Sequence, residues 1–486
     1  MTFELKPFQK KAVRIIDHYK GNVLIADEMG LGKTIEVLQW LKEHPEIRPV
    51  IIIVPAHLKW NWQNEAADKF GLKSTVLNSR TPSKLNLEVC NIFIISYDIL
   101  SPVEVKTKNK QNKTMTKKYD GWLQTLVDIK AACLIADEIH FCKGRNTKRT
   151  KAIKKLSQKI PHKLPLSGTP LLNRPAELFP TLNMLWPKDF SSFFSFAQRY
   201  CKPVRMPWGW VYKGATHIDE LHQRLLTLGM IRRKKSEVLK YLPPKQRSVI
   251  PINIPMKEYD QAKNNFINWL QAQSPERARK AKLAQAITQL GYLKRLASKE
   301  KLPFVIDWIK SYLNESADKL VVFGIHKEIV RGLHEQFPNI SVCLDGGTPI
   351  KTRKTIEKQF QTNKKIRLFF GNIQAAGTGM NLWASPSLAF AELDWVPGNH
   401  TQAEDRIHRI GQTQHTDIYY LVAKNTIEEQ LCKVIQEKQQ IVNQVLDGVN
   451  IEQDKLDIYD ILSKELLKGI KIENKQEDYL RMIGAF

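Results

Sequence analysis

The stretch Asp27-Glu28-Met29-Gly30-Leu31-Gly32-Lys33-Thr34 follows an apolar run, Val23 to Ala26, and precedes an amphipathic helical pattern. Glycines in such a loop let backbone N–H groups converge on a phosphate at a helix N-terminus. Lys33 can then reach the β and γ phosphates, and the Thr34 hydroxyl can ligate magnesium. The generic phosphate-loop pattern has glycine where this chain has Asp27. A second apolar run, Cys133 to Ala136, ends in Asp137-Glu138-Ile139-His140. Here Asp137 would hold magnesium through water and Glu138 would polarise an attacking water as general base. In isolation an acidic pair reads as a helix N-cap. Across one sheet from Lys33 it reads as the other half of a nucleotide site. Farther along, Gln402-Ala403-Glu404-Asp405-Arg406-Ile407-His408-Arg409-Ile410-Gly411-Gln412 sets Arg406 and Arg409 three residues apart, hence on one face of a helix. With ATP bound between two lobes, an arginine finger would have to come from the lobe without the phosphate loop.

The elements that must position these groups are short β-branched strands alternating with helical patterns. Val23–Ala26, Val50–Val54, Ile92–Ile95, Cys133–Ala136 and Lys163–Leu166 form one series. Leu320–Phe323, Ile340–Leu344, Ile366–Phe370, Leu388–Glu392 and Asp417–Val422 form another. Such alternation implies two tandem α/β lobes, each built on a parallel sheet. The expected organisation is a first lobe over 1–242 carrying a helical, aromatic-rich insertion at about 175–235, a hinge and helical insertion over 243–300, a second lobe over 301–450, and a helical charged tail over 451–486. The prolines of Tyr241-Leu242-Pro243-Pro244-Lys245-Gln246-Arg247 push the chain into an extended connector, where the hinge is placed. Residues 105–118, with six lysines and no acid, read as a mobile loop.

Composition narrows the partners. At 486 residues the chain exceeds one hydrophobic core, and 75 Lys and Arg against 49 Asp and Glu leave a net charge of +26. That surface seeks polyanions, although solvated lysines alone could account for it. Residues 143–155 hold seven Lys or Arg, and Ile231-Arg232-Arg233-Lys234-Lys235 adds four before the hinge. Both are candidate phosphate contacts. Trp60 and Trp62 could stack on bases, but helices that follow strands usually cover the sheet, so packing is the preferred reading. The six cysteines show no CxxC pair and are taken as reduced core residues, with no zinc site. No apolar run has transmembrane length and Met1 to Lys11 lacks a signal-peptide core, so a soluble, intracellular chain with no membrane partner is expected.

The motifs together resemble the Swi/Snf-type ATPases of helicase superfamily two over about residues 4–445. They run from KPFQ around Gln9 through DEMGLGKT, VPAHLKWNW, ISYDIL, DEIH, LSGTP and AAGTGMNL to QAEDRIHRIGQ. Asp27 is this family's own form of the first motif. LSGTPLLNRPAEL, FAELDWVPGNHTQAEDRIHRIGQ and LVAKNTIEEQL resemble its annealing-helicase, fork-remodelling branch. The resemblance implies RecA-like lobes, ATP and Mg2+ as cofactors, Gln9 on the adenine, and Gln402, Arg406 and Arg409 facing the γ-phosphate. It implies that Ser167, Gly168 and Thr169 couple hydrolysis to lobe movement. DNA contacts would come from Pro55, Lys59, Ser96, Tyr97, Lys143, Gly346, Gly347, Thr378 and Gly379.

The expected function is a DNA-dependent ATPase, acting as a monomer, that translocates on duplex or branched DNA and remodels or re-anneals forks. It would be cytoplasmic or nucleoid-associated in a prokaryotic or phage setting. Two alternatives stay open: a helicase unwinding RNA or single strands, and an ATP-gated clamp or displacement factor without processive movement.

Overall fold

The computed structural model describes residues 4–108, 114–171, 174–206, 209–212, 214–271, 279–376, 380–432 and 435. The strands, in chain order, are β1 Leu24–Ile25, β2 Val50–Val54, β3 Thr75–Val76, β4 Ile92–Ser96, β5 Val103–Lys108, β6 Thr114–Tyr119, β7 Cys133–Asp137, β8 His162–Leu166, β9 Val204–Met206, β10 Gly209–Val211, β11 Met230–Ile231, β12 Lys245–Ile252, β13 Leu320–Gly324, β14 Ser341–Leu344, β15 Leu368–Asn372, β16 Ser387–Phe390 and β17 Thr416–Ala423. They form two all-parallel sheets, ordered β11-β1-β8-β7-β2-β4-β3 and β12-β17-β16-β13-β15-β14, plus the antiparallel pairs β5-β6 and β9-β10. Two α/β lobes on parallel sheets are therefore the observed fold.

The chain divides into two compact units. Among the described residues, one takes those up to Lys202 together with Thr216–Lys240, and the other takes Pro203–Ala215 together with those from Tyr241 onward. In the first, β2 is Val-Ile-Ile-Ile-Val and is buried along its whole length, as expected of a parallel strand covered on both faces. Three helices matter to the site: α1 (Pro7–His18), α2 (Lys33–Glu43) and α3 (Lys59–Phe70). The first buries Gln9, Ala12, Val13 and Ile16, one stripe at helical spacing. The third stops at Gly71, whose φ of 67° provides the left-handed cap.

In the second unit Phe323, Phe360, Phe369, Phe370 and Phe390 fill the core around the central strands. The helix Arg279–Glu315 packs on this sheet through a fully buried ion pair. Lys301 Nζ donates to Glu428 Oε2 at 2.6 Å and to the Leu421 carbonyl at 2.6 Å. Among the described residues no helix is long and apolar enough to cross a membrane. All six cysteines are unpaired, and Cys133, Cys142, Cys201 and Cys432 are buried.

Three segments differ from the sequence reading. Residues 105–118 are not simply a loop: β5 and β6 pair antiparallel from Val103↔Tyr119 to Lys108↔Thr114, with 109–113 outside the described residues. Alternating Thr, Val and Met among the lysines meets the two-residue period of a strand. The segment at 175–235 is more than a helical insertion, for it contains β9-β10 and ends in β11, which pairs parallel with β1 at the sheet edge. The hinge segment runs directly into β12, which pairs with β17 over eight residues as the edge of the second sheet. The tail over 451–486 lies outside the described residues.

Candidate nucleotide site and nucleic-acid face

Because the first sheet is parallel, every loop after a strand leaves at the same edge, and β1, β8 and β7 are neighbours there. The loop after β1 carries Gly30 and Gly32 at φ 86° and 91°, and α2 begins at Lys33. Those angles favour glycine, and the approach to α1 is close. A Cβ on Gly32 would meet Gln9 Nε2 at 2.5 Å. Gln9 is buried and holds the loop, donating to the Leu31 carbonyl at 3.0 Å while its Oε1 accepts from the Lys6 N–H. Lys33 Nζ donates to the Asp27 carbonyl at 2.9 Å and lies over Gly168 from the loop after β8. Thr34 is half-buried beside it.

Beneath this loop lies a charge cluster that the sequence reading assigned elsewhere. Arg233 donates from Nε to Asp27 Oδ1 at 3.0 Å and from Nη2 to Glu36 Oε1 at 2.6 Å, both carboxylates being fully buried. It also donates to the Phe8 carbonyl. Arg232 donates to the Ala26 carbonyl at 2.7 Å and the Gly168 carbonyl at 3.2 Å. Lys235 is buried as well. This basic run thus turns inward to brace the phosphate loop and is not a free phosphate-binding patch. A string of arginines in sequence carries no sign of which way it faces. Burial, and then the neighbouring Asp27, push Glu36 well above the ordinary carboxylate range, outweighing Arg233.

At the end of β7, Asp137 and Glu138 are both buried. Trp62 Nε1 donates to Asp137 Oδ2 at 2.8 Å, and Tyr97 donates to the Asp137 carbonyl at 2.6 Å. Trp62 is therefore packed, as preferred from sequence, whereas Trp60 is exposed. Burial, and then the Glu138 charge, raise Asp137 to about 7, against the opposing Trp62 bond and Lys33 charge. Glu138 has φ 50° and ψ 51°, a left-handed backbone uncommon for a residue with a side chain. Its Oε2 accepts from Ser167 Oγ at 3.4 Å and lies 3.3 Å from His140 Nδ1, which is itself 2.9 Å from Ser167 Oγ. The acid is thus tied to the LSGTP loop, where Thr169 N–H also bonds Ser167 Oγ. A Cβ on Gly168 would come within 2.2 Å of Met29 Cγ. The loops after β1, β7 and β8 are therefore one packed assembly.

In the second unit, the helix Pro397–Glu404 ends where the arginines begin. Arg406 and Arg409 do not lie on one helical face, contrary to the spacing argument. The Arg406 carbonyl accepts from the Leu382 N–H at 3.0 Å, and 405–412 turns through short-range bonds such as Ile407 N–H to the Glu404 carbonyl. The Arg406 carbonyl is thereby withdrawn from the helical ladder. The two arginines still share one neighbourhood. Glu357 is raised chiefly by burial, against the opposing charges of Arg409 and Arg406. Gln402 and Arg406 are buried, and Arg409 is partly exposed.

Residues 8–301 match the sequence profile of the SNF2-related domain, and residues 300–411 match the helicase conserved C-terminal domain. The chain belongs to the SNF2-related family. It is 33% identical over 443 residues to the SWI/SNF-related matrix-associated actin-dependent regulator of chromatin subfamily A-like protein 1 of Xenopus tropicalis, covering 90% of this chain and 45% of that protein. It is 31% identical over 457 residues to the DNA annealing helicase and endonuclease ZRANB3 of Homo sapiens, covering 92% and 40%. The chain thus spans less than half the length of these relatives. A solved structure, the Sulfolobus solfataricus SWI2/SNF2 ATPase core in complex with dsDNA, aligns with a TM-score of 0.43 at 23% identity, over 97% of this chain and 98% of that one.

The described residues expected from sequence to contact DNA fall at or just after the ends of parallel strands, some open and some closed. Gly346 and Gly347 follow β14 and are exposed, with the Gly347 N–H bonded to Asp345 Oδ1 at 2.7 Å. Lys143 is partly exposed after the DEIH turn. Pro55 and Ser96 are buried at the ends of β2 and β4. Tyr97 is buried too, its hydroxyl committed to Asp137. Lys59 does not join an open face: it is buried, its ammonium donating to the Leu77 carbonyl at 3.1 Å and to Asn78 Oδ1 at 2.5 Å. Thr378 and Gly379 lie outside the described residues. The helix Lys148–Ser157 exposes Lys148, Lys151, Lys154 and Lys155 along one side, so this basic cluster does face solvent.

Proposed function

We propose that the chain hydrolyses ATP and uses the cycle to move along duplex or branched DNA. The observation that carries this reading is the gathering of Lys33, Asp137, Glu138 and Ser167 where β1, β7 and β8 end, the edge at which an open parallel sheet takes its ligand. In this reading Lys33 compensates charge on the β and γ phosphates. Glu138, held by Ser167 and His140, accepts the proton of the attacking water. The Thr34 hydroxyl and Asp137 carboxylate are an oxygen-only pair, which suits Mg2+, an ion that takes one or two protein oxygens with phosphates and waters. When bound it supplies positive charge to the phosphate oxygens and favours the ionised form of Asp137. Gln9 borders the adenine, and Gln402, Arg406 and Arg409 serve the transferring phosphoryl group from the second unit. Ser167, Gly168 and Thr169 report the state of the phosphate loop to Glu138, since all three loops touch.

The polymer track in this reading comprises the backbone at Pro55, Ser96 and Tyr97, the Lys143 side chain, the loop at Gly346–Gly347, and Thr378 and Gly379. Lys59 is left out because its charge is already spent inside the fold. The net charge and the lysines of Lys148–Ser157 support a polyanionic partner. The relative named as a DNA annealing helicase supports DNA as the polymer and re-annealing of complementary strands as the outcome. Such a motor works in whichever compartment holds DNA, cytoplasm or nucleoid in a prokaryotic or phage setting.

Displacement of a third strand from a DNA triplex tests movement. Release is expected with ATP, and neither with a non-hydrolysable analogue nor in Glu138→Gln. DNA binding without displacement would remove translocation and leave an ATP-gated clamp.

A further inference from the structure

The two arginines sit in a turn held by a few short-range backbone bonds, among them Arg406 N–H to the Ala403 carbonyl at 3.1 Å, and not in a continuous helix. A series of side chains alternating with them ties the turn to the rest of the unit. Glu404 precedes Arg406, His408 lies between the arginines, and Gln412 follows Arg409. Gln412 Nε2 donates to the Trp383 and Ser385 carbonyls at 3.0 Å each. The other two anchors land on residues 243–247, the first residues of the second unit after the chain crosses at Lys240. His408 Nε2 lies 2.9 Å from the Pro243 carbonyl. Glu404 is 1% exposed and binds Lys245 Nζ at 2.8 Å, Arg247 Nε at 2.8 Å, Arg247 Nη2 at 2.6 Å and the Tyr420 hydroxyl at 2.9 Å.

This arrangement follows from the strand. Lys245 and Arg247 are two apart on β12 and so project to one face, the face that Tyr420 occupies on β17. Burial would raise the Glu404 carboxyl, but Lys245 and Arg247 hold it far below the ordinary range. Burial would likewise lower Lys245, which Glu404 and Asp405 keep above its ordinary value. A buried carboxylate gripped by a forked guanidinium and an ammonium has one geometry. An apolar contact at the same place would leave the turn free to slide.

We propose that Lys245 and Arg247 are positioning residues for the reaction. By clamping Glu404 they set the height and orientation of Arg406 and Arg409, and they make the chain crossing and the arginine turn one mechanical piece. The proposal rests on the finger role given to the arginines above. A finger displaced by an ångström loses transition-state charge stabilisation while substrate binding is little changed.

Arg247 is the side chain to change, because it is half exposed whereas Lys245 and Tyr420 stay on Glu404. Arg247→Ala is expected to lower kcat for DNA-stimulated ATP hydrolysis by about tenfold, with KM for ATP and affinity for DNA within about twofold. Arg247→Lys keeps the charge without the fork and is expected to recover part of the rate. The double variant with Arg409→Ala decides the route: if the clamp acts through the finger, R247A/R409A turns over no more slowly than R409A alone. A parental kcat in R247A, a rise in KM alone, no recovery in R247K, or multiplied losses in the double variant would each overturn the proposal. A parental rate in R409A would instead overturn the finger reading, and the proposal with it. The Tm of each variant, matched to the parent, separates these outcomes from misfolding.

Discussion

Arg233 brings one positive charge to two buried carboxylates, Asp27 and Glu36, under the phosphate loop. Its removal leaves both acids without their cation in a low-dielectric site. Arg233→Ala should therefore destabilise the first unit by about 3–5 kcal/mol, read from denaturant unfolding near pH 8. The pH dependence has a definite sign. Glu36 is raised in the folded state, so folding takes up a proton and stability falls as pH rises from the ordinary carboxylate range toward the folded value. Without the guanidinium that fall should be larger, and the deficit of R233A should shrink as pH is lowered toward 5. A deficit independent of pH would mean that Arg233 acts by packing against the Phe8 ring, not by charge. At this scale the sequence displayed the chemistry of Lys33, Asp137 and Glu138 through strand, loop and helix order. It could not display Arg233, Tyr97 or Trp62, whose partners are reached only after the chain folds back. Arg233 and Asp27 are separated by 206 residues.

Elements were legible where a strand is buried on both faces. Val50–Val54, Ile92–Ser96 and Cys133–Asp137 are runs that only a parallel interior strand accommodates, and they were found nearly to the residue. The strands β3 and β11 are two residues each and, unlike β1 within Val23–Ala26, sit in no apolar run of four or more, so they escaped. The ribbon β5-β6 escaped because its lysines mimic a solvated loop. The arginine turn was misread as helix because its i,i+3 spacing is equally available to successive tight turns. Deleting 105–118 should leave ATP hydrolysis without DNA at the parental rate, since the ribbon contains no site residue. If its six lysines meet phosphates, the slope of log K against log salt should flatten by up to about 0.9 for each phosphate that is no longer neutralised. An unchanged slope would assign the ribbon no part in holding DNA.

At the scale of the whole molecule, two units each present loops from the C-terminal edge of a parallel sheet, and a charge of +26 is spread over 486 residues. Tandem lobes were visible in sequence as two series of five runs. The chain's entry into the second was not, because β12 begins at Lys245, directly after the Pro243-Pro244 pair that reads as an extended connector, and it carries the clamp on Glu404. Which polymer stimulates the motor is the point on which the functional account stands. The decisive measurement is steady-state ATP hydrolysis at fixed salt with equal masses of linear duplex, forked duplex, single-stranded DNA and RNA, run in parallel on the parent, Lys33→Ala and Glu138→Gln. Stimulation is expected with the duplexes, more with the fork, and little with single strands or RNA. Both variants should be inactive on every polymer, with Glu138→Gln still binding nucleotide. Stimulation by RNA or single strands in preference to duplex, or a parental rate in Glu138→Gln, would contradict the account.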